Sequence, residues 1–121
     1  MPPDADDLLA EQLRKLRREY LADSVTRVEE LRQLRVHLAE DPHTALVSLR
    51  RAFHRLAGSG GSYGFPAVSS RSRDGERLTQ RLEATGIPIT PGDVGALDKC
   101  IEDVAAAFAG ARSAPDGGPA V

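Results

Sequence analysis

From Asp6 to Glu40 the chain contains neither glycine nor proline. Few folds accept so long a stretch without a turn residue, and an α-helix is the simplest of them. Leu9, Leu13, Leu16, Tyr20, Val25, Val28, Leu31 and Leu38 punctuate it, mostly at spacings of three and four. That period describes a helix with one apolar stripe, which must lie against other helices. A bend near Ala22-Asp23-Ser24 would divide it into a short leading helix and a longer one.

The rest of the chain repeats the pattern in shorter units. Asp41-Pro42 reads as an N-cap followed by proline in the first turn. Leu46, Leu49, Phe53 and Leu56, with Ala45 and Ala52 beside them, predict a helix from Pro42 to Ser62. Tyr63-Gly64-Phe65-Pro66 reads as a turn. Val68, Leu78 and Leu82 anchor a third helix from Pro66 to Ala84. Its middle, Ser69 to Glu76, is unusually polar, and Gly75 weakens it. Gly86 ends it, and Ile87-Pro88-Ile89 connects onward. Thr90, Pro91 and Asp93 form the start signal of a last helix. That helix buries Val94, Leu97, Ile101, Val104, Ala105 and Phe108. Short connections between long amphipathic helices imply antiparallel neighbours. The expected fold is all-α: an antiparallel up-down four-helix bundle with a short extra N-terminal helix. Residues 1–5 are expected to be a flexible start, 6–112 the bundle, and 113–121 a disordered tail rich in Pro, Gly and Ala.

Composition removes several functional classes. The 16 basic and 18 acidic residues leave a net charge of −2, too little to favour a nucleic-acid binder. The single cysteine, Cys100, excludes an internal disulfide and a cysteine-based zinc site, and reads as a small core residue. His37, His43 and His54 are read as lying on different helices. They form no Glu-x-x-His or His-x₃-His pair, so no metal site is expected. No apolar run approaches the roughly 20 residues of a membrane span, and the start lacks signal-peptide character. The expected setting is cytoplasmic.

The run His54 to Gly64, H-R-L-A-G-S-G-G-S-Y-G, stands out. His54 projects well over a quarter turn from the centre of the stripe of Leu46, Leu49, Phe53 and Leu56, so its imidazole should meet solvent. Neutral imidazole is a competent nucleophile near pH 7. The leaning of helical side chains toward the N-terminus should lay it over Arg50 and Arg51. Gly58, one turn on, leaves a notch for another backbone, and Gly61 widens it. The same glycines do not make a nucleotide loop. The third Gly of G-x-G-x-x-G is missing, the Gly-Lys-Ser/Thr ending is absent, and no strand precedes them.

These residues resemble the histidine-containing phosphotransfer (HPt) domain of bacterial phosphorelays. In that family the reactive histidine is followed by Leu at +2, Gly at +4, Ser or Ala at +5, and Gly at +10 after an aromatic residue or Leu. Leu56, Gly58, Ser59, Tyr63 and Gly64 match. Ala57 departs from the pattern, standing where the family usually has lysine. The resemblance implies a phosphoryl group accepted on Nε2 of His54 and exchanged with a receiver-domain aspartate. It implies no kinase or ATP-binding part and no cofactor of its own, with Mg²⁺ supplied by the receiver. Partners would be a response-regulator receiver domain, a hybrid histidine kinase, or both, and the chain is expected to be a monomer. Arg50, Arg51 and Arg55 are candidates to offset phosphoryl charge in place of the lysine, or to pair with acids on the partner. Ser59 is a candidate donor to phosphate or imidazole, or else a helix-end cap. Val47 and Ala57 are candidate partner contacts, and Tyr63 and Phe65 should pack beneath the turn. The missing lysine also favours an alternative: a bundle of the same fold that binds or inhibits a receiver or kinase without carrying phosphate.

Overall fold

A computed structural model describes residues 4–85 and 88–114. Four α-helices and one 3₁₀ turn account for nearly all of them. These are α1 (Ala5–Val36), the 3₁₀ turn (His37–Ala39), α2 (Pro42–Ser62), α3 (Pro66–Thr85) and α4 (Pro91–Ser113).

Three of the four helices start where the sequence supplies a side-chain oxygen for the unpaired amides of the first turn. Asp4 accepts from the Asp7 amide and Asp41 from the Thr44 amide. Thr90 and Asp93 form a reciprocal capping box, with Pro91 in the first turn. Hydrogen bonds from the Thr44 side chain and amide hold the Asp41 carboxyl below its ordinary range, and those from the Thr90 amide and side chain do the same for Asp93. α2 ends through glycine. The Phe65 amide donates to Gly60 O and the Gly64 amide to Gly61 O, while Gly64 takes φ +83°. Only a residue without Cβ adopts that angle without strain, so the chain turns sharply and drives Phe65 into the core.

Side-chain pairs give the helix directions. Along α2 and α3, Gly60 meets Val68, Phe53 meets Gly75, and Arg50 meets Glu83. Along α1 and α4, Arg112 meets Ser24, Arg32 meets Glu102, and Arg35 meets Asp98. Along α1 and α2, Arg17 meets Tyr63 and Tyr20 meets Ser59. Rising numbers face falling numbers each time, so these neighbours are antiparallel. The main core joins Leu31, Leu49, Phe53, Val68, Val104 and Phe108 from all four helices. A smaller cluster of Leu38, Leu46, Leu82 and Leu97 closes the end carrying the 3₁₀ turn.

Three sequence expectations change. No short extra helix precedes α1, because the helix runs unbroken through Ala22-Asp23-Ser24. Ser24 is buried there, and its hydroxyl bonds Leu21 O within the helix and accepts from Arg112, so the polar residue is satisfied without a bend. Leu9, Leu13 and Leu16 are exposed rather than core, since nothing among the described residues covers that part of α1, and Val25 is exposed because it points away from the line of Tyr20, Leu21, Ser24, Val28 and Leu31 that the bundle buries. The bundle's margins also widen: Asp4 and Ala5 belong to α1 and its cap, and Ser113 closes α4. The readings of residues 1–3, of Gly86 and Ile87, and of the tail beyond Ala114 lie outside the described residues.

Candidate functional site

α2 and α3 approach unusually closely beneath His54. A Cβ added to Gly75 would lie 2.5–2.6 Å from three carbons of the Phe53 ring, so no side chain fits between ring and helix. Ser69, Ser72 and Thr79 continue this narrow face of α3, all buried. Ser69 donates to Ala57 O at 2.8 Å, and Thr79 to Gly75 O at 3.0 Å, which satisfies those hydroxyls against backbone. The polar middle of α3 is therefore its packing surface, and Gly75 is the residue that lets Phe53 in.

That approach brings Glu76 under His54. The side chain of His54 is 73 % exposed and that of Glu76 19 %, with Nδ1 and Oε2 2.6 Å apart. The imidazole thus reaches across to α3 instead of lying over Arg50 and Arg51. A carboxylate only accepts, so with a neutral ring Nδ1–H is the donor. This fixes the tautomer: Nε2 carries the lone pair, on the ring atom remote from the backbone. Beside it, a Cβ on Gly58 would meet nothing within 4 Å, so the notch is real and open. Gly61 is exposed as well and borders Ser69. Glu76 was not singled out by sequence reasoning. Its only signal was the unexplained polar run in a helix that otherwise needed apolar anchors.

The remaining predicted residues divide. Arg51 is exposed on the His54 side of α2, with no ion-pair partner among the described residues, and Val47 is half-buried nearby. Arg50 is a correction: Nε lies 3.0 and 3.1 Å from the two Glu83 carboxylate oxygens, which holds it on α3. Arg55 is exposed but on the α1 side, lining a groove with Val25, Glu29 and His37. Ala57 is a second correction, since it is buried against α3 and offers no partner surface. Ser59 is a third. Its hydroxyl shares a 2.7 Å hydrogen bond with the Tyr20 phenol, facing α1 and away from the imidazole. Burial raises that phenol's pKa, so the pair stays neutral. Tyr63 and Phe65 stack on Tyr20 beneath the turn, as expected.

Other chemistry is thinly represented. Cys100 packs against the core, and burial raises its thiol pKa, the opposite of what a nucleophile needs. His43 and His54 share α2 rather than lying on different helices, but they are three turns apart. No group of three His, Cys, Asp or Glu could hold a metal among the described residues. No helix among them is long and apolar enough to cross a membrane.

An exposed histidine, oriented by a neighbouring helix and flanked by an open glycine notch, is the arrangement the sequence resemblance leads one to look for. Comparison with family models decides the point: the Hpt domain model matches residues 15–107. This chain belongs to the Hpt domain family. No curated protein matches it, and no solved structure matches it. An Hpt domain is a histidine phosphotransfer module, a carrier within a phosphorelay and not a kinase. Such domains interact with receiver domains and kinases. The match covers both helices of the His54 site and extends on α1 as far back as Lys15, leaving nearly three turns at the start of that helix outside it.

Proposed function

We propose that this Hpt domain accepts a phosphoryl group on Nε2 of His54 from a receiver-domain aspartate and donates it to another. The Nδ1–Glu76 hydrogen bond carries the reading, because in the neutral ring it leaves the lone pair on Nε2 of an exposed side chain. In the forward step the Nε2 lone pair attacks phosphorus in line with the aspartyl oxygen. The N–P bond forms, the P–O bond breaks, and the carboxylate departs with the electron pair. The ring gains positive charge as this happens. Glu76, already bonded to Nδ1–H, stabilises that charge without rearranging, so its contribution grows toward the transition state. The reverse step delivers the group to a second aspartate. Mg²⁺ on the receiver offsets phosphoryl charge, and Arg51, exposed on the His54 side of α2, adds positive charge on this face.

Gly58 supports the docking half of the reading. Its open surface lets a receiver loop approach the ring closely, and Val47 borders the same face. The domain works as a carrier in the cytoplasm, with no ATP chemistry of its own.

The test is transfer from a phosphorylated receiver, with Mg²⁺, to wild type and to His54→Gln. Wild type should take up an acid-labile, alkali-stable label and His54→Gln none, with unchanged helicity. Equal labelling of both would remove His54 from the mechanism. No label on either, together with tight receiver binding, would establish the phosphate-free binding module instead.

A further inference from the structure

α1 is longer than the bundle it serves. Every residue from Asp4 to Leu16 is exposed, and Arg17, bonded through Nε to Tyr63 O, is the first that is not. Within this overhang Leu8, Leu9, Leu13 and Leu16 are 50, 60, 42 and 43 % exposed. Leu9, Leu13 and Leu16 continue the line of buried Tyr20 at spacings of four, three and four. That is the seam of a two-helix contact, extended past the point where the chain's own helices can meet it.

Charge selects what covers it. Asp4, Asp6, Asp7 and Glu11 occupy the outer part of the overhang, Arg14 and Lys15 its inner end, and Arg17 and Arg18 follow directly where the bundle begins. A second copy laid parallel would set acids beside acids. Laid antiparallel with Leu13 at the axis, it sets Glu11 of each helix beside Arg14 and Lys15 of the other and Asp7 beside Arg18, twice over about a two-fold axis. The same alignment puts Leu9 opposite the second copy's Leu16 and brings the two Leu13 side chains together at the axis.

We infer that residues 4–18 of α1 form an antiparallel homodimer contact through Leu9, Leu13 and Leu16. The sequence alone suggested a monomer, because periodicity places the leucines on a buried stripe without showing that the stripe outruns the bundle. The contact is small: a helix of this length spans only about 20 Å. It therefore falls below the usual interface of roughly 800 Å² per partner, and association should be reversible and concentration-dependent. His54 lies about 12 Å down α2 from its end at Ser62, so both phosphotransfer faces remain open in the dimer.

Sedimentation equilibrium on the full chain, from low to high micromolar concentration, tests this independently of any phosphate chemistry. The mass should rise toward twice that of one copy, and Leu13→Glu should hold it at one copy with unchanged helicity and melting temperature. Orientation is read by oxidation in a Cys100→Ser background. Leu9→Cys and Leu16→Cys proteins mixed together should cross-link, and Leu9→Cys alone should not. A mass of one copy at every concentration overturns the proposal, as does a dimer that survives Leu13→Glu. Self-cross-linking of Leu9→Cys overturns the antiparallel arrangement.

Discussion

α2 meets α3 through small residues, whereas the outer edge of the α1–α4 seam is held by long charged ones. Beneath His54 the two backbones come close enough for a phenyl ring to rest on Gly75. On the other side of the bundle, Arg35 reaches Asp98 at 2.7 Å across half-buried surface and Arg32 reaches Glu102 at 3.1 Å across exposed surface. Both seams also bury aliphatic side chains. What differs is tolerance. A bidentate arginine can follow a helix that shifts, while a ring against a glycine cannot. The site sits on the intolerant seam, and chemistry gives a reason. The Nδ1–Glu76 bond joins residues on two helices, so a shift of an ångström between them would lose it.

The largest effect should come from filling the tight seam. Gly75→Val puts branched carbon where the Phe53 ring lies, and should destabilise the bundle by about 1–3 kcal/mol in chemical denaturation. Transfer to His54 should fall in the same variant even where it remains folded. Full stability would show that the helices part freely. Next comes Thr90→Ala, which removes half of a capping box far from the site and should cost about 1 kcal/mol while leaving transfer unchanged. Arg32→Ala should cost at most about 0.5 kcal/mol, as exposed ion pairs do. A larger loss would erase the contrast between the seams.

Two further predictions separate stability from chemistry. Glu76→Ala removes a partly exposed carboxylate and should barely move the melting temperature, yet slow transfer by about 10²-fold, the usual scale of a lost charge-stabilising partner. Unchanged transfer would show that the tautomer needs no help. Acid sensitivity should arise at the helix starts. Asp41 and Asp93 have lowered pKa values in the folded state, so their contribution is present above the ordinary carboxyl range, about pH 4, and is lost as pH falls through the lowered values. Asp93→Asn should therefore flatten the fall of melting temperature below that pH, and an unaltered profile would refute this origin.

Much of this was legible from local signals. The caps at Asp41 and Thr90, the apolar face of α2 and the exposure of His54 follow from residue chemistry and a period of 3.6. What was not legible depended on which helix lies opposite. Periodicity marks Leu9, Leu13 and Leu16 as a stripe but cannot show that the bundle ends at Arg17. Ala57 lies only a little off the line of Phe53, and burial there requires the near approach of α3. Ser59 and Arg50 offer the same donors whether they face phosphate, Tyr20 or Glu83. Gly75 and Glu76 looked like flaws in α3 because their reasons, a ring and an imidazole, stand on α2.

The most direct test of the central claim is nuclear magnetic resonance of the phosphorylated protein carrying ¹⁵N-labelled histidine. The account predicts phosphorus bonded to Nε2 of His54 while Nδ1 keeps its proton toward Glu76. Phosphorus on Nδ1, or on any residue other than His54, would contradict it.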